Sequence, residues 1–444
     1  MDTTRAATIS RRTAGAAALL GLTAAATAGQ AQAVPLVSRT LRSATATTTG
    51  AVRVRAPRWA GEATGLTGTL PLTSGRVDAA VVAVRDARGA SFDVGHVGPT
   101  TLRAGGLELS GWALLPAGRY TTWLSHLVGG RWVDQPRRTF DVPAVLPTAP
   151  RSTTRRSGAY IGWPQTPQRL AEYGRLRGRA VQVAGFYFDH RRWEWIEQNE
   201  DFFSQYGSGR FTAPIVLSVP LLADPSAADP APSTALGAAG RYDGHFRTLA
   251  RNLAARGLGG ITIRLGWEAN SPGNYLWSAV PDPAAYRAFF RRVVGVMRAQ
   301  APALRFDWSI TAAVDGWSFD FRDAYPGDDV VDVVGIDVYD MSPTSMTSDQ
   351  RWAWYQCARG GLNDIARFAT AHGKRIGIDE WAVASRTWNG GGDDPLFVER
   401  LRGWMDQWGV AHEIYNEMEY PYSDGRLFLG TQNPKAAAEY REGF

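Results

Sequence analysis

Gly260-Ile261-Thr262-Ile263-Arg264-Leu265-Gly266-Trp267 is an apolar run, residues 283–299 form an amphipathic helical stretch, and Arg305-Phe306-Asp307-Trp308-Ser309-Ile310 is a second apolar run. Runs this short and this apolar fit strands buried on both faces, and parallel strands need a crossover helix between them. The stretch 260–310 therefore reads as one strand–helix–strand unit of a parallel sheet. The same rhythm extends outward from it, starting at residue 159. Strands are expected at 159–163, 180–188, 214–219, 260–267, 305–310, 331–338, 375–381 and 410–416, with helices between them, for example at 242–256, 283–299 and 352–372. Eight such units in about 285 residues have the size of a (β/α)8 TIM barrel, an α/β fold. An open doubly wound sheet is the alternative, but no G-x-G-x-x-G loop follows any of these strands, so a nucleotide site has no support.

Before residue 159 the pattern differs. Residues 51–144 carry short alternating runs at 77–84, 107–112, 120–127 and 139–142, broken by Gly/Pro/Asp clusters. That is the mark of a small β-sandwich, and Pro116-Ala117-Gly118-Arg119-Tyr120 leading into a strand is typical of immunoglobulin-like modules. Ser/Thr/Ala-rich residues 34–50 and the segment 145–158, with Leu146-Pro147-Thr148-Ala149-Pro150, read as linkers. The barrel domain then spans 159–444. Residues 1–33 read as an export signal, with a basic start at Arg11-Arg12, an Ala/Leu/Gly stretch and an A-x-A end at Ala31-Gln32-Ala33. Ser10 before the paired arginines resembles a twin-arginine signal, so secretion by that route is expected.

Composition narrows the classes. The chain has 444 residues, 44% hydrophobic and 20% charged, which excludes disordered, collagen-like and coiled-coil chains. No run of about 18 apolar residues follows residue 40, so no stable membrane insertion is expected once the signal is removed. The single cysteine, Cys357, excludes an intrachain disulfide and a multi-cysteine metal cluster. The net charge of +6 is unevenly spread: residues 34–158 hold 16 Arg against 7 acids, while 159–444 are net acidic. Lysine is confined to Lys374 and Lys435, the arginines are scattered, and no nucleic-acid motif is present. A monomer without metal or organic cofactor is expected, and the 17 Trp residues point to a carbohydrate ligand.

A TIM barrel builds its site at the C-terminal strand ends. There stand Trp163, Asp189, Glu268, Asn270, Tyr339, Glu380 and Trp381. A lone Glu at a strand end is commonly a solvated loop residue. Two of them, Glu268 after strand 4 and Glu380 on strand 7, each next to a Trp, suit glycosidic-bond cleavage. That reaction needs one carboxyl to protonate the leaving oxygen and another to meet the anomeric carbon. Arg264, four residues before Glu268, lies on the same barrel face and would hold the strand 7 carboxylate ionised. Trp163, Tyr275, Trp277, Trp381 and Trp388 are the aromatic residues expected to stack on sugar, with Asp189 and Asn270 as polar contacts. Trp352 and Trp354 read as packing; Trp112, Trp123 and Trp132 of the front module are expected in the core of a spacer, with glycan binding through them as the alternative.

These pieces resemble the clan A retaining glycoside hydrolases, and most of all glycoside hydrolase family 26, whose best-known members are endo-β-1,4-mannanases. The resemblance rests on Ile263-Arg264-Leu265-Gly266-Trp267-Glu268, Asn274-Tyr275-Leu276-Trp277, Arg305-Phe306-Asp307-Trp308-Ser309, 331–339 ending in Asp337-Val338-Tyr339, and Ile376-Gly377-Ile378-Asp379-Glu380-Trp381. It covers about residues 155–440. It implies that Glu268 is the acid/base and Glu380 the nucleophile, with Arg264 and Tyr339 as supporting residues. The family usually has His before the acid/base. Here Trp267 stands there, a side chain that donates a hydrogen bond but cannot accept one. The expected activity is a secreted retaining endo-glycosidase acting on a β-linked polysaccharide, β-1,4-mannan first. A β-glucanase, xylanase or other cell-wall glycan hydrolase of the clan is the alternative, and a non-catalytic glycan-binding protein a third reading.

Overall fold

Eight parallel strands close into a barrel in chain order: Arg156–Tyr160, Ala184–Tyr187, Ile215–Val219, Thr262–Leu265, Arg305–Thr311, Val333–Tyr339, Arg375–Ala382 and His412–Asn416. The eighth pairs with the first along its whole length. The computed structural model describes residues 50–57, 62–71, 75–102, 106–144, 154–312, 319–341 and 347–444. The expected export signal, the linker up to residue 49 and residues 145–153 lie outside the described residues.

Every barrel strand overlaps an expected run, and the ends differ for local reasons. Strand 4 stops at Leu265 because Gly266 takes a left-handed φ of +57°, so Trp267 and Glu268 sit on the loop that follows. The helix expected at 352–372 is two helices, Ser348–Cys357 and Leu362–Ala371, separated where Gly360 adopts a φ of +72°. The helix Pro283–Arg298 buries Tyr286, Phe289, Phe290, Val293, Val294 and Met297 at three- and four-residue spacing. Asp282 caps it by accepting from the Ala285 amide at 2.9 Å. Each of these side chains is worth about 1.5–3 kcal/mol when buried, which is what seats the helix on the sheet.

Strand 7 carries an extra residue. Ile378 pairs with Ile336 but Glu380 pairs with Asp337, so Asp379 is passed over. A bulge of this kind breaks the two-residue alternation of a strand. Asp379 and Glu380 are neighbours in the chain, yet both approach Arg264 in the barrel interior. Beyond the bulge the parity is reversed. Trp381 turns outward, packs on Tyr415, Tyr440 and Phe444, and donates from Nε1 to Glu413 at 2.6 Å.

In front of the barrel, Arg53–Arg55, Thr64–Leu70 and Leu107–Ala113 form one antiparallel sheet. Ala79–Asp86, Val94–Val97, Gly118–Val128, Arg131–Asp134 and Arg138–Val142 form another. One apolar cluster draws on both, including Leu66 and Leu109 from the first and Val82, Val94 and Leu124 from the second. The Ala63 amide donates to Gln356 Oε1 of the barrel at 2.8 Å, and Trp112 packs on the barrel core. Trp123 is buried as expected, under Arg137 at 4.3 Å, whereas Trp132 is exposed. Trp352 and Trp354 are buried, in line with a packing role. No helix among the described residues is long and apolar enough to cross a membrane.

Candidate active site

Arg264 is the hub. It points inward from strand 4 and is 1% exposed. Nε donates to Ser309 Oγ at 3.0 Å, and Nη1 to the Tyr187 hydroxyl at 2.8 Å, to Ser218 Oγ at 3.1 Å and to Glu380 Oε2 at 3.3 Å. Nη2 is paired with the Asp337 carboxylate. Burial works against the charge, but Asp337, Tyr187, Glu380 and Asp379 hold this guanidinium's pKa well above its ordinary value.

Glu380 is met on both carboxylate oxygens. Oε1 accepts from the Tyr339 hydroxyl and from Asn416 Nδ2, the latter at 3.0 Å; Oε2 accepts from the Tyr187 hydroxyl and from Arg264. Donors from strands 2, 4, 6 and 8 thus converge on one side chain of strand 7. Arg264 and Tyr339 stand where the sequence expected them. Tyr187 and Asn416 were not singled out, although each is the last residue of its strand.

Glu268 is half-buried in the loop after strand 4, with a left-handed φ of +52° that costs a non-glycine residue on the order of 1 kcal/mol. The loop holds it there. Asn270 Nδ2 donates to the Thr311 carbonyl at 2.9 Å and the Thr311 amide returns a bond to Asn270 Oδ1 at 2.8 Å. Asn270 is therefore a clamp between the loop and strand 5, and it is buried at 7% exposure. Burial, then the negative charge of Glu380, raises the Glu268 carboxyl to about 7. A raised pKa means that the native state holds this proton more tightly than the unfolded chain. Stability contributed by Glu268 is then lost as pH rises from 4.5, the ordinary value, to about 7. Glu268→Gln cannot lose such a proton. Its thermal midpoint should gain on the wild type across that window, and a difference that stays constant with pH would contradict this.

Three of the expected aromatic contacts hold a surface position and two do not. Trp163 is 62% exposed. Trp388 lies 4.3 Å from Tyr422, and Tyr420 stacks on Tyr422 at 5.6 Å and 4°. Burial, then the charges of Glu380 and Glu268, push the Tyr422 hydroxyl up, so this aromatic group adjoins both carboxylates. Tyr275 is partly exposed, stacked on Trp277 at 4.7 Å. Trp277 and Trp381 are buried, at 1% and 0% exposure, so neither offers a face to sugar. Trp277 lies beneath Tyr275 and donates to the Trp267 carbonyl at 2.9 Å, and Trp381 is turned outward by the bulge. Trp267 is buried against Tyr187, Tyr275 and Trp277. Asp189 is engaged by Arg191 Nε at 2.9 and 2.8 Å.

Among the described residues, Asp307, Asp379 and His412 could bring ligand atoms within 4.8 Å of one another. Two of those atoms, His412 Nε2 and Asp379 Oδ1, already share a hydrogen bond of 2.7 Å.

Two carboxyls thus stand within electrostatic reach at the barrel mouth: Glu380 is hydrogen-bonded on both oxygens beside an arginine, and burial and the charge of Glu380 raise Glu268 to about 7. Residues 250–380 match the model of glycosyl hydrolase family 26. That stretch includes Arg264, Glu268, Tyr339 and Glu380. The match bears out the resemblance read from the sequence, and with it the assignment of glycoside hydrolase activity. No curated protein matches the chain. Among solved structures, the Podospora anserina GH26-CBM35 β-(1,4)-mannanase is 14% identical at a TM-score of 0.42, covering 90% of this chain and 94% of that one. A Cellulomonas fimi endo-β-1,4-mannanase double mutant is 15% identical at 0.49, covering 66% and 70%. The Bacteroides ovatus GH26 β-mannanase is 15% identical at 0.46, covering 65% and 88%. At these scores the likenesses carry no argument, and the barrel stands on its own strand order.

Proposed function

We propose that this chain is a secreted retaining endo-glycosidase that cleaves a β-linked polysaccharide, with β-1,4-mannan as the first substrate. The observation that carries the reading is the pairing of Glu380, held by Arg264, Tyr187, Tyr339 and Asn416, with a Glu268 whose carboxyl is raised to about 7 by burial and by Glu380 itself. Glu380 attacks the anomeric carbon while Glu268 gives its proton to the leaving oxygen. The glycosyl–enzyme ester that results is opened by water, from which Glu268 takes a proton. The Tyr187 and Tyr339 hydroxyls and Arg264 fix the attacking oxygens before the sugar arrives, so little reorganisation is needed in the transition state. Trp163 and the Trp388–Tyr422 group supply apolar faces for the chain of sugars.

Trp267 favours a second substrate within the same chemistry. Its ring is packed among Tyr187, Tyr275 and Trp277, and an indole has no acceptor to offer a sugar hydroxyl. A β-glucan or xylan is the alternative for that reason. The front sheets make an immunoglobulin-like β-sandwich acting as a spacer, a reading supported by the Tyr120 hydroxyl bonding back to the Pro116 carbonyl at 2.7 Å. Export follows the twin-arginine route, and the enzyme works as a monomer with polysaccharide as its partner.

Reducing ends released from β-mannan, β-glucan and xylan test the substrate. Mannan should give the fastest release, and the first product seen by NMR should keep the β configuration. Retained binding to a polymer without release from any of them would favour the non-catalytic glycan-binding reading.

A further inference from the structure

Asp307 lies on strand 5, one inward-facing position farther from the mouth than Ser309, in an interior the proposed mechanism does not use. It is 0% exposed, and neither of its carboxylate oxygens has a hydrogen-bond partner. Asp379, 2% exposed, has the same deficit at Oδ2, while its Oδ1 is bonded to His412 Nε2 at 2.7 Å. The two orphaned groups converge. A Cβ on Gly335 would stand 1.8 Å from Asp379 Oδ2 and 2.3 Å from Asp307 Oδ1, so both oxygens occupy the space that this glycine leaves open. Gly377 does the same for His412, whose Nε2 would be 2.6 Å from a Cβ there.

Two carboxylate oxygens that meet fully buried, with a guanidinium 3.7 Å from only one of them, cannot both be anionic without strong repulsion. A single proton resolves this by making one of them a donor to the other. We propose that Asp307 and Asp379 share one proton, and that with His412 they form a positioning unit that fixes the charge presented to Arg264 and, through it, to Glu380. The groups around the pair bear this out. Arg264 from strand 4, Asp337 from strand 6, Glu380 from strand 7 and His412 from strand 8 face it, and a further anion at Asp307 would compete with Glu380 for the one guanidinium. Asp307 is the natural holder of the proton, since burial and the charge of Asp379 push its carboxyl well up. Burial opposes the charge on Asp379, but His412, Arg264 and a hydrogen bond from Asp307 together outweigh it and hold that carboxyl below its usual range. A metal ion is the poorer bridge, because the Arg264 guanidinium already lies 3.7 Å from Asp379 Oδ2 and would repel it.

The test has a spectroscopic arm that is independent of substrate. In a Glu268→Gln background at about pH 8, where ordinary carboxyls are ionised, infrared spectra should show a protonated-carboxyl C=O band that Asp307→Asn removes. If Asp307→Asn does not fold, Asp379→Asn serves, since its amide donates to an ionised Asp307 and the band is lost there too. The kinetic arm rests on the proposed role of Glu380. Asp307→Asn should keep kcat within about threefold, and Asp307→Ala should lower it about tenfold or more with KM unchanged. A band that survives in both Asn variants overturns the shared proton. So does a stoichiometric metal in the purified protein that Asp307→Asn releases. Equal loss of kcat in Asp307→Asn and Asp307→Ala overturns the positioning role. An enzyme inactive on every polysaccharide leaves the infrared result standing and counts against the function instead.

Discussion

Glu380→Ala should lower turnover of polysaccharide about 10⁴-fold or more, the scale on which loss of a covalent nucleophile is felt. The void left by the carboxylate stays lined by Arg264, Tyr187, Tyr339 and Asn416, all of them donors that contact it in the native protein. A small anion such as azide should enter that void. With an activated aryl β-glycoside, azide should restore part of the rate and yield an α-glycosyl azide, because the anion attacks from the side Glu380 occupied. Measuring aryl release with and without azide, and the anomeric configuration of the product, decides the role. Full activity without azide would remove Glu380 from the mechanism.

Arg264→Met should have the largest effect on stability. The side chain is fully buried, and its removal leaves Asp337, Asp379 and Glu380 without their shared cation. Breaking a buried ion pair from one side costs about 3–5 kcal/mol, since the partner's charge is left uncompensated. The urea midpoint should fall accordingly. The loss should shrink as pH is lowered, because the stranded acids then bind protons and cease to be charged. Activity should also collapse, as Glu380 loses a donor and gains the repulsion of Asp337. A variant with wild-type stability at neutral pH would show that the acids find other partners.

The barrel was legible because parallel strands buried on both faces announce themselves as short apolar runs, and all eight were placed that way. So were Glu268, Arg264, Glu380 and Tyr339, which stand on or next to those runs. Tyr187 and Asn416 also occupy strand ends, but a tyrosine or an asparagine there is too common to stand out. Tyr420 and Tyr422 belong to the small hairpin of Glu419–Tyr420 and Ser423–Asp424, which has no periodicity to betray it. Trp277 and Trp381 were misplaced for a different reason: tryptophan near an active site suggests sugar, but whether its face is free depends on packing. For Trp381 that packing is reversed by a bulge that leaves no trace in the alternation of Ile376-Gly377-Ile378-Asp379-Glu380-Trp381. Asp307 was hidden inside an apolar run, where its charge looked like an interruption.

The bulge in strand 7 has a mechanical consequence. Glu380 is covalently joined to Asp379, whose own side chain sits between His412 and Asp307 in the space that Gly335 leaves open. The Glu380 carboxylate is thus held from two sides, by a backbone anchored through the buried Asp379 and by the donors Arg264, Tyr187, Tyr339 and Asn416 on its oxygens. On the proposed mechanism the sugar is delivered to that oxygen, so the adjustable part of the path is the conformation of the substrate ring.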